Sequence, residues 1–183
     1  MSKSILISIQ PQWCEKIVEG KKTIEVRKKR PKLETPFKCY IYCTLGGHYK
    51  RTTQLAEARY FGNGKELSNG KVIGEFVCDE IFPVRVFDNG SIQNWMAYEL
   101  ERACVPYEEV AEYIGWDKTG CGWHISDLVI YDEPIKLSDF GEGRAPQSWC
   151  YVGVEHDRTG DRADRGELRG QPAVRGCDLH RGG

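Results

Sequence analysis

Apolar and polar side chains alternate at the start of the chain, and the period then lengthens to that of a helix. Within residues 5–10, three isoleucines alternate with leucine, serine and glutamine. This pattern predicts a strand with one buried face. Pro11 suits the first position of a helix, and pairs of apolar residues four apart, such as Trp13 with Ile17, follow it. We expect this helix to end at Gly20, a residue type that often caps helices.

The period returns to two after that helix and predicts a second strand from Thr23. Glu25 and Arg27 then share one face of the strand, two residues apart, where a carboxylate can pair with a guanidinium group. Simple alternation puts Lys22 on the buried side with Ile24. Either the strand begins after Lys22, or this lysine is partly buried.

The remaining pattern predicts several further strands and two more helices. Residues 45–70 show no sustained period and are expected to form a long loop, and residues 116–122 a cluster of turns. Strands are predicted at 38–44, 71–81, 128–131 with a continuation at 135–137, and 149–154, and helices at 92–103 and 107–114. Five or six strands with about three helices indicate an α+β fold, and we expect a small mixed β-barrel decorated by the helices.

Length and composition predict one domain, over residues 1–155, followed by a tail. The chain has 183 residues, of which 40% are hydrophobic. Residues 156–183 contain 6 Arg, 6 Gly and 5 acidic residues with few bulky apolar side chains, so we expect this Arg/Gly-rich tail to be disordered. Its interleaved acids nearly cancel its charge, which favours an inert extension over a nucleic-acid-binding tail.

The sequence indicates neither a membrane segment nor a metal or other cofactor. No run of about 18 apolar residues is present, and the N-terminus passes directly into the first strand, so we expect a cytoplasmic protein. The 8 cysteines lie mostly in apolar patterns typical of buried free thiols. Cys39 and Cys43 have a spacing that zinc sites use, but on a strand they would lie about 13 Å apart, too far to share an ion.

Charge is concentrated although the net formal charge is only -1. Residues 21–32 contain seven basic side chains and one acid, Glu25. Such a patch can steer a phosphate-bearing ligand, or it can be a solvated strand edge that lysines protect from aggregation. The region from Ile92 to Ile114 is acidic and offers a different surface, suited to a protein partner.

Several segments resemble the ASCH domain family, a branch of the PUA-like superfamily. The most specific are Ser8-Ile9-Gln10-Pro11 and Gly20-Lys21-Lys22-Thr23-Ile24-Glu25-Val26-Arg27. Later segments agree: Ile41-Tyr42-Cys43-Thr44, Val72-Ile73-Gly74-Glu75-Phe76 and Gln147-Ser148-Trp149-Cys150-Tyr151-Val152. The resemblance covers about residues 4 to 155. It implies a PUA-like barrel with a cleft beside the first helix, suited to RNA or a nucleotide-like ligand.

The candidate ligand-binding residues follow from the resemblance and from the charge pattern. They are Gln10, Lys22, Glu25, Arg27, Thr44, Tyr49 and Arg51. Glu25 can hold the Arg27 fork toward a phosphate or a base edge. An exposed Glu–Arg pair without function is the alternative. Tyr49 lies in a polar loop and is a candidate for base stacking, whereas Trp13 is expected to be a core residue.

A hydrolase using the same cleft is a second hypothesis, with Lys22 and Glu25 in acid/base roles on RNA or an acylated nucleoside. Some members of the family are amidohydrolases that act on acylated cytidines through a motif lysine and a threonine nucleophile. Lys22 matches the lysine, but Glu25 stands where the threonine is expected. A carboxylate does not replace a hydroxyl that forms an acyl intermediate, so the sequence argues against that chemistry. The protein-interaction module on the acidic helical region is a third hypothesis.

Overall fold

The computed structural model describes residues 3–45, 59–60, 66–67, 69–87 and 94–153 of the chain. The predicted tail at 156–183, and the candidate residues Tyr49 and Arg51, lie outside the described residues.

Ten strands and four helices make up the described part of the chain. The strands are β1 (Lys3–Ile9), β2 (Ile24–Arg27), β3 (Phe37–Cys43), β4 (Arg59–Tyr60), β5 (Glu66–Leu67), β6 (Lys71–Cys78), β7 (Ile81–Arg85), β8 (Thr119–His124), β9 (Ser126–Lys136) and β10 (Trp149–Gly153). The helices are α1 (Pro11–Val18), α2 (Asn94–Ala103), α3 (Tyr107–Ile114) and α4 (Leu137–Phe140). The predicted α+β class is confirmed, with more strands and one more helix than expected.

The strands form two main sheets and a small hairpin. The larger sheet has the order β10-β1-β3-β6-β9, the second has the order β2-β8-β7, and β4 pairs with β5. Among the described strands, β1 and β3 form the one parallel pair, and α1 and β2 provide the crossover connection between them. The closed barrel stays a prediction, since the described strands form separate sheets.

β1 is buried on both faces, where alternation predicted one buried face. Ile5 and Ile7 pack in the main core, which includes α1 and Trp123 from β8. Leu6, on the opposite face, packs in a separate cluster with Tyr40. The sheet therefore has apolar cover on both sides at β1, and Ser8 is buried as well.

The second sheet contains the two strands that the sequence pattern missed. β7 follows β6 after a break at 79–80, where one longer strand was predicted, and it contains Pro83. Proline cannot donate to a ladder, and β7 accordingly lies at the edge of its sheet. Most of β8, at residues 119–122, was expected to form turns. Gly122 lies against the ring of Phe82, where a Cβ would collide.

Smaller differences concern the loop and the last third of the chain. The region predicted as a long loop contains the β4–β5 hairpin. β9 runs without interruption through Pro134, where a break was expected, and the short helix α4 follows it. The predicted helices at α1, α2 and α3 are confirmed, and α3 is preceded by Pro106 and followed by Gly115 as expected.

None of the described helices is long and apolar enough to cross a membrane. The cysteines in the described ranges are free thiols, and most of them are buried. Burial raises the pKa of Cys78 to about 12, so this thiol stays protonated at neutral pH.

Candidate functional site

A cavity of about 330 Å³ opens between α1, β2 and α3. This volume lies at the lower end of the range of small-molecule sites. Three of its charged side chains come from the segment 22–27, and glutamines supply amide groups. The lining residues are Ser8, Ile9, Gln10, Gln12, Trp13, Lys22, Glu25, Val26, Arg27, Val105, Glu109, Val110, Tyr113 and Gln147.

Lys22 is buried because the end of α1 turns it inward. Gly20 adopts a left-handed conformation, and the N–H groups of Lys21 and Lys22 both donate to the carbonyl oxygen of Lys16 at 2.9 Å. The Lys22 ammonium then donates to the carbonyl of Ala103, the last residue of α2, at 2.7 Å. The carbonyl end of a helix favours a cation, so Lys22 caps α2 from within the protein.

Glu25 lies between the two buried cations. Its Oε1 is 3.0 Å from Nη2 of Arg27, and its Oε2 is 3.3 Å from Nζ of Lys22. The side chains of all three residues are less than a tenth exposed. The expectation that Glu25 and Arg27 pair on one strand face is therefore confirmed by the geometry, and the alternative of an exposed pair is wrong.

Arg27 joins the second sheet to the larger one. Its Nη2 donates to the carbonyl of Ser8 on β1 at 2.6 Å, and its Nη1 donates to Oγ of Ser148 at 3.3 Å. These bonds and the Glu25 carboxylate hold the guanidinium in one orientation at the cavity wall. Orientation of this kind lowers the entropic cost of binding a ligand.

Two buried polar atoms at this wall have no hydrogen-bond partner within the described part of the protein. They are Nε of Arg27 and Oε2 of Glu25, although Lys22 provides charge near the latter. A buried donor or acceptor without a partner costs about 1–3 kcal/mol. Both atoms belong to residues that line the cavity but are themselves withdrawn from solvent, so the fold bears this cost at the cavity wall.

The charges at the cavity balance one another. Lys22 and Arg27 are opposed by Glu25 and by Glu109, an exposed residue of α3 at the rim. A cavity with this balance does not concentrate anions in its interior. It suits a neutral ligand with hydrogen-bonding groups better than an isolated phosphate.

Two aromatic side chains also line the cavity. Trp13 is half-buried, packs against the main core and lies with its ring centroid 5.5 Å from the Lys22 ammonium. The prediction that Trp13 belongs to the core is confirmed, but the residue has an open side as well. Tyr113 is 39% exposed, so its ring is accessible to a ligand at the cavity mouth.

Cys14, a buried residue of α1, remains a thiol. Its sulfur contacts the carbonyl oxygen of Ile9 at 3.6 Å. Burial, reinforced by a hydrogen bond with Cys43, holds the pKa of Cys14 well above its usual value. Thiolate chemistry at this position is therefore disfavoured, because the thiolate is the nucleophilic form.

Four of the seven candidate residues come together at the cavity: Gln10, Lys22, Glu25 and Arg27. Thr44 lies at the end of β3, where its N–H donates to the carbonyl of Ile9 at 2.8 Å, and it is not among the described lining residues.

Several contributors were not identified from the sequence. Ser8 and Ser148 hold Arg27 from distant parts of the chain. Glu109 and Tyr113 lie four apart on α3, a spacing that places both on one helix face. Alternation does put Ser8 on the same strand face as Gln10, so the sequence could have identified Ser8 as a site residue. No sequence pattern indicated that α3 packs beside the cavity.

The chain belongs to the ASCH domain family, whose model matches residues 7–119. This family has a PUA-like fold and is generally thought to bind RNA. No curated protein matches the chain.

The fold is similar to that of a solved ASCH protein from Zymomonas mobilis, with a TM-score of 0.60 and 20% sequence identity. That match covers 84% of this chain and 90% of the other. A tyrosine-to-phenylalanine mutant of the Zymomonas protein matches with the same TM-score and identity, over 85% of this chain and 94% of its own. A serine-to-alanine mutant matches over 84% and 90%.

Proposed function

We propose that this ASCH domain binds RNA, or a modified nucleotide, with one base in the cavity lined by Gln10, Lys22, Glu25 and Arg27. The observation that supports this most directly is the Glu25–Arg27 pair, held at 3.0 Å in the wall of a cavity that glutamine side chains and two aromatic rings also line. Proteins read an unpaired base through hydrogen bonds to its edge and stacking on its faces.

The polar atoms at the wall match the chemistry of a base edge. Arg27 is a donor, Glu25 is an acceptor and the glutamine amides are both, while the edges of nucleobases combine acceptors with amino donors. The balanced charge favours a neutral base over a phosphate in the interior. Trp13 and Tyr113 provide rings on which a base can stack.

A hydrolase in the same cavity is the second candidate, and the contact between Lys22 and Glu25 at 3.3 Å favours it. A lysine next to a carboxylate is a possible acid/base pair for RNA or an acylated nucleoside. The Lys22 ammonium, however, also caps α2 through Ala103. This structural role explains why the lysine is buried here without any catalytic step. Binding is therefore the primary proposal.

A binding experiment with matched variants tests the proposal. Cytidine, acylated cytidine and a short single-stranded RNA are titrated into the wild type, Arg27→Gln and Arg85→Gln, with Arg85 an exposed residue on β7. Loss of base-edge contacts worth about 1–3 kcal/mol predicts a loss of affinity of about 5- to 150-fold for Arg27→Gln. Arg85→Gln should bind as the wild type does.

Because Arg27 is buried, a variant at the accessible rim completes the test. Tyr113→Ala removes a stacking surface without disturbing the buried charges, and it should also weaken RNA binding. Wild-type affinity in both Arg27→Gln and Tyr113→Ala contradicts the proposal. Chromatography of the titrated mixtures shows whether any ligand is hydrolysed, and turnover that Lys22→Met abolishes in a folded protein would support the second candidate.

A further inference from the structure

We propose that the ligand is a single-stranded RNA several nucleotides long, whose backbone leaves the cavity along a basic track formed by residues 28–32 and Lys3. This inference rests on the proposed function and makes the partner more specific. A free nucleoside would use only the cavity, whereas a strand would use the cavity and the track.

The track begins at the cavity mouth. The segment directly after β2 carries four exposed cations, Lys28, Lys29, Arg30 and Lys32, around the buried Pro31. Nζ of Lys28 lies 5.1 Å from the ring centroid of Tyr113, which lines the cavity. The residue that follows Arg27 in the chain therefore places its charge beside the accessible aromatic ring.

A second aromatic residue lies at the other end of the track. The backbone N–H of Lys32 donates to the hydroxyl of Tyr151 at 2.7 Å, and Nζ of Lys3 lies 5.5 Å from the Tyr151 ring centroid. Tyr151 is 39% exposed. Each end of the basic segment thus combines an exposed ring with a cation, the combination that single-strand-binding proteins use for successive bases and phosphates.

The cations of the track are available to an external partner. Among the described residues, none of Lys28, Lys29, Arg30 and Lys32 forms an ion pair with a carboxylate. Helix α3 itself carries three exposed acids, Glu108, Glu109 and Glu112, of which Glu109 lines the cavity. Phosphates are repelled by these carboxylates and attracted by the cations of residues 28–32, so we expect the backbone to follow the basic segment away from α3.

The exposed rings at the two ends of the track favour an unpaired strand. Stacking on Tyr113 and Tyr151 requires bases that are not already paired in a duplex. We therefore expect a preference for single-stranded over double-stranded RNA.

The salt dependence of RNA binding tests the track. The probe is a fluorescein-labelled single-stranded RNA of about eight nucleotides, within the usual size of such sites, and its affinity is measured by anisotropy. Lys29→Gln/Arg30→Gln/Lys32→Gln removes three charges from the track. Arg85→Gln/Lys118→Gln/Lys136→Gln removes three exposed charges from other parts of the protein and is the matched control.

The track variant should lower the slope of log affinity against log salt by about 2, because each phosphate contact on a single strand contributes about 0.7. The control should keep the slope of the wild type. The Tyr151 contact to Lys32 involves its backbone and survives the substitution. Equal slopes in the two triple variants would overturn the track, as would equal affinity of the wild type for the same RNA as a duplex.

Arg27→Gln in the same assay separates the two proposals. Weaker binding in both Arg27→Gln and the track variant supports the cavity and the track together. Weaker binding in Arg27→Gln alone overturns the track and keeps the cavity. Weaker binding in the track variant alone contradicts the cavity as the base site, while the track retains its support.

Discussion

Glu25 is the residue on which the buried charges of the site depend. It contacts Lys22 on one side and Arg27 on the other, and all three side chains are withdrawn from solvent. Without this carboxylate, the two buried cations, Lys22 and Arg27, would repel each other in a medium of low polarity. A buried charge that loses its partner is strongly destabilising, whereas an exposed pair contributes little.

We predict that Glu25→Gln lowers the free energy of unfolding by about 3 kcal/mol, the lower end of the cost of breaking a buried pair. The glutamine amide has nearly the same shape as the glutamate carboxylate, so the loss of stability measures the contribution of the charge. Urea denaturation of the variant and the wild type measures it.

Glu19→Gln is the control, because the Glu19 pair with Lys21 is exposed and its loss should leave the urea midpoint unchanged. If Glu25→Gln unfolds at the same urea concentration as Glu19→Gln, the buried cluster is not the stabilising unit that its geometry indicates.

At the scale of elements, the site depends on the close approach of β8 to β2 and α3. A Cβ added at Gly120 would lie 2.8 Å from the carbonyl oxygen of Arg27 and 2.6 Å from Cδ1 of Ile114. Real side-chain carbons do not approach so closely, so one of these elements would have to move. Glycine at this position lets β2 hold Arg27 where it meets β1.

Gly120→Ala should therefore cost about 1–3 kcal/mol of stability by overpacking and also weaken RNA binding, because it displaces the backbone of Arg27. Gly143→Ala is the matched control, since a Cβ there has no neighbour within 4 Å. Thermal unfolding and the RNA titration measure both effects. Wild-type affinity in a destabilised Gly120→Ala protein would show that the Arg27 position does not depend on this contact.

The same elements show what the sequence could predict. Periodicity identified β1, α1, β2 and β3, because their apolar residues repeat with a clear period, and it identified Glu25 and Arg27 as a pair. It missed β8, where glycines needed for close packing resemble turn residues. It also missed the partners of the site, Ala103 and Ser148, because they are 81 and 121 positions from Lys22 and Arg27 along the chain.

At the scale of the whole molecule, the cavity exists because the two main sheets are held together. Arg27 of β2 bonds to Ser8 of β1 on one side of this junction. On another side, Nδ1 of His124, at the end of β8, lies 2.7 Å from Oδ1 of Asp79, which follows β6. The N–H of His124 also donates to the carbonyl of Glu80 at 2.9 Å.

The junction should be sensitive to acid through Asp79. Burial alone would raise the pKa of this carboxyl. Hydrogen bonds from His124, from its own backbone and from Ser126 together have the larger, opposite effect, so the pKa of Asp79 in the folded protein lies below its ordinary value. The stabilisation is then complete above the unfolded pKa of about 3.9 and is lost as the pH falls through the lower folded value.

We predict that Asp79→Asn lowers stability near neutral pH and that its difference from the wild type shrinks as the pH falls through the range below about 5. Urea midpoints measured at a series of pH values follow this difference. Asp117→Asn removes a carboxylate from an exposed turn and should run parallel to the wild type. A constant difference between Asp79→Asn and the wild type across the acid range would show that the Asp79 charge does not hold the sheets together.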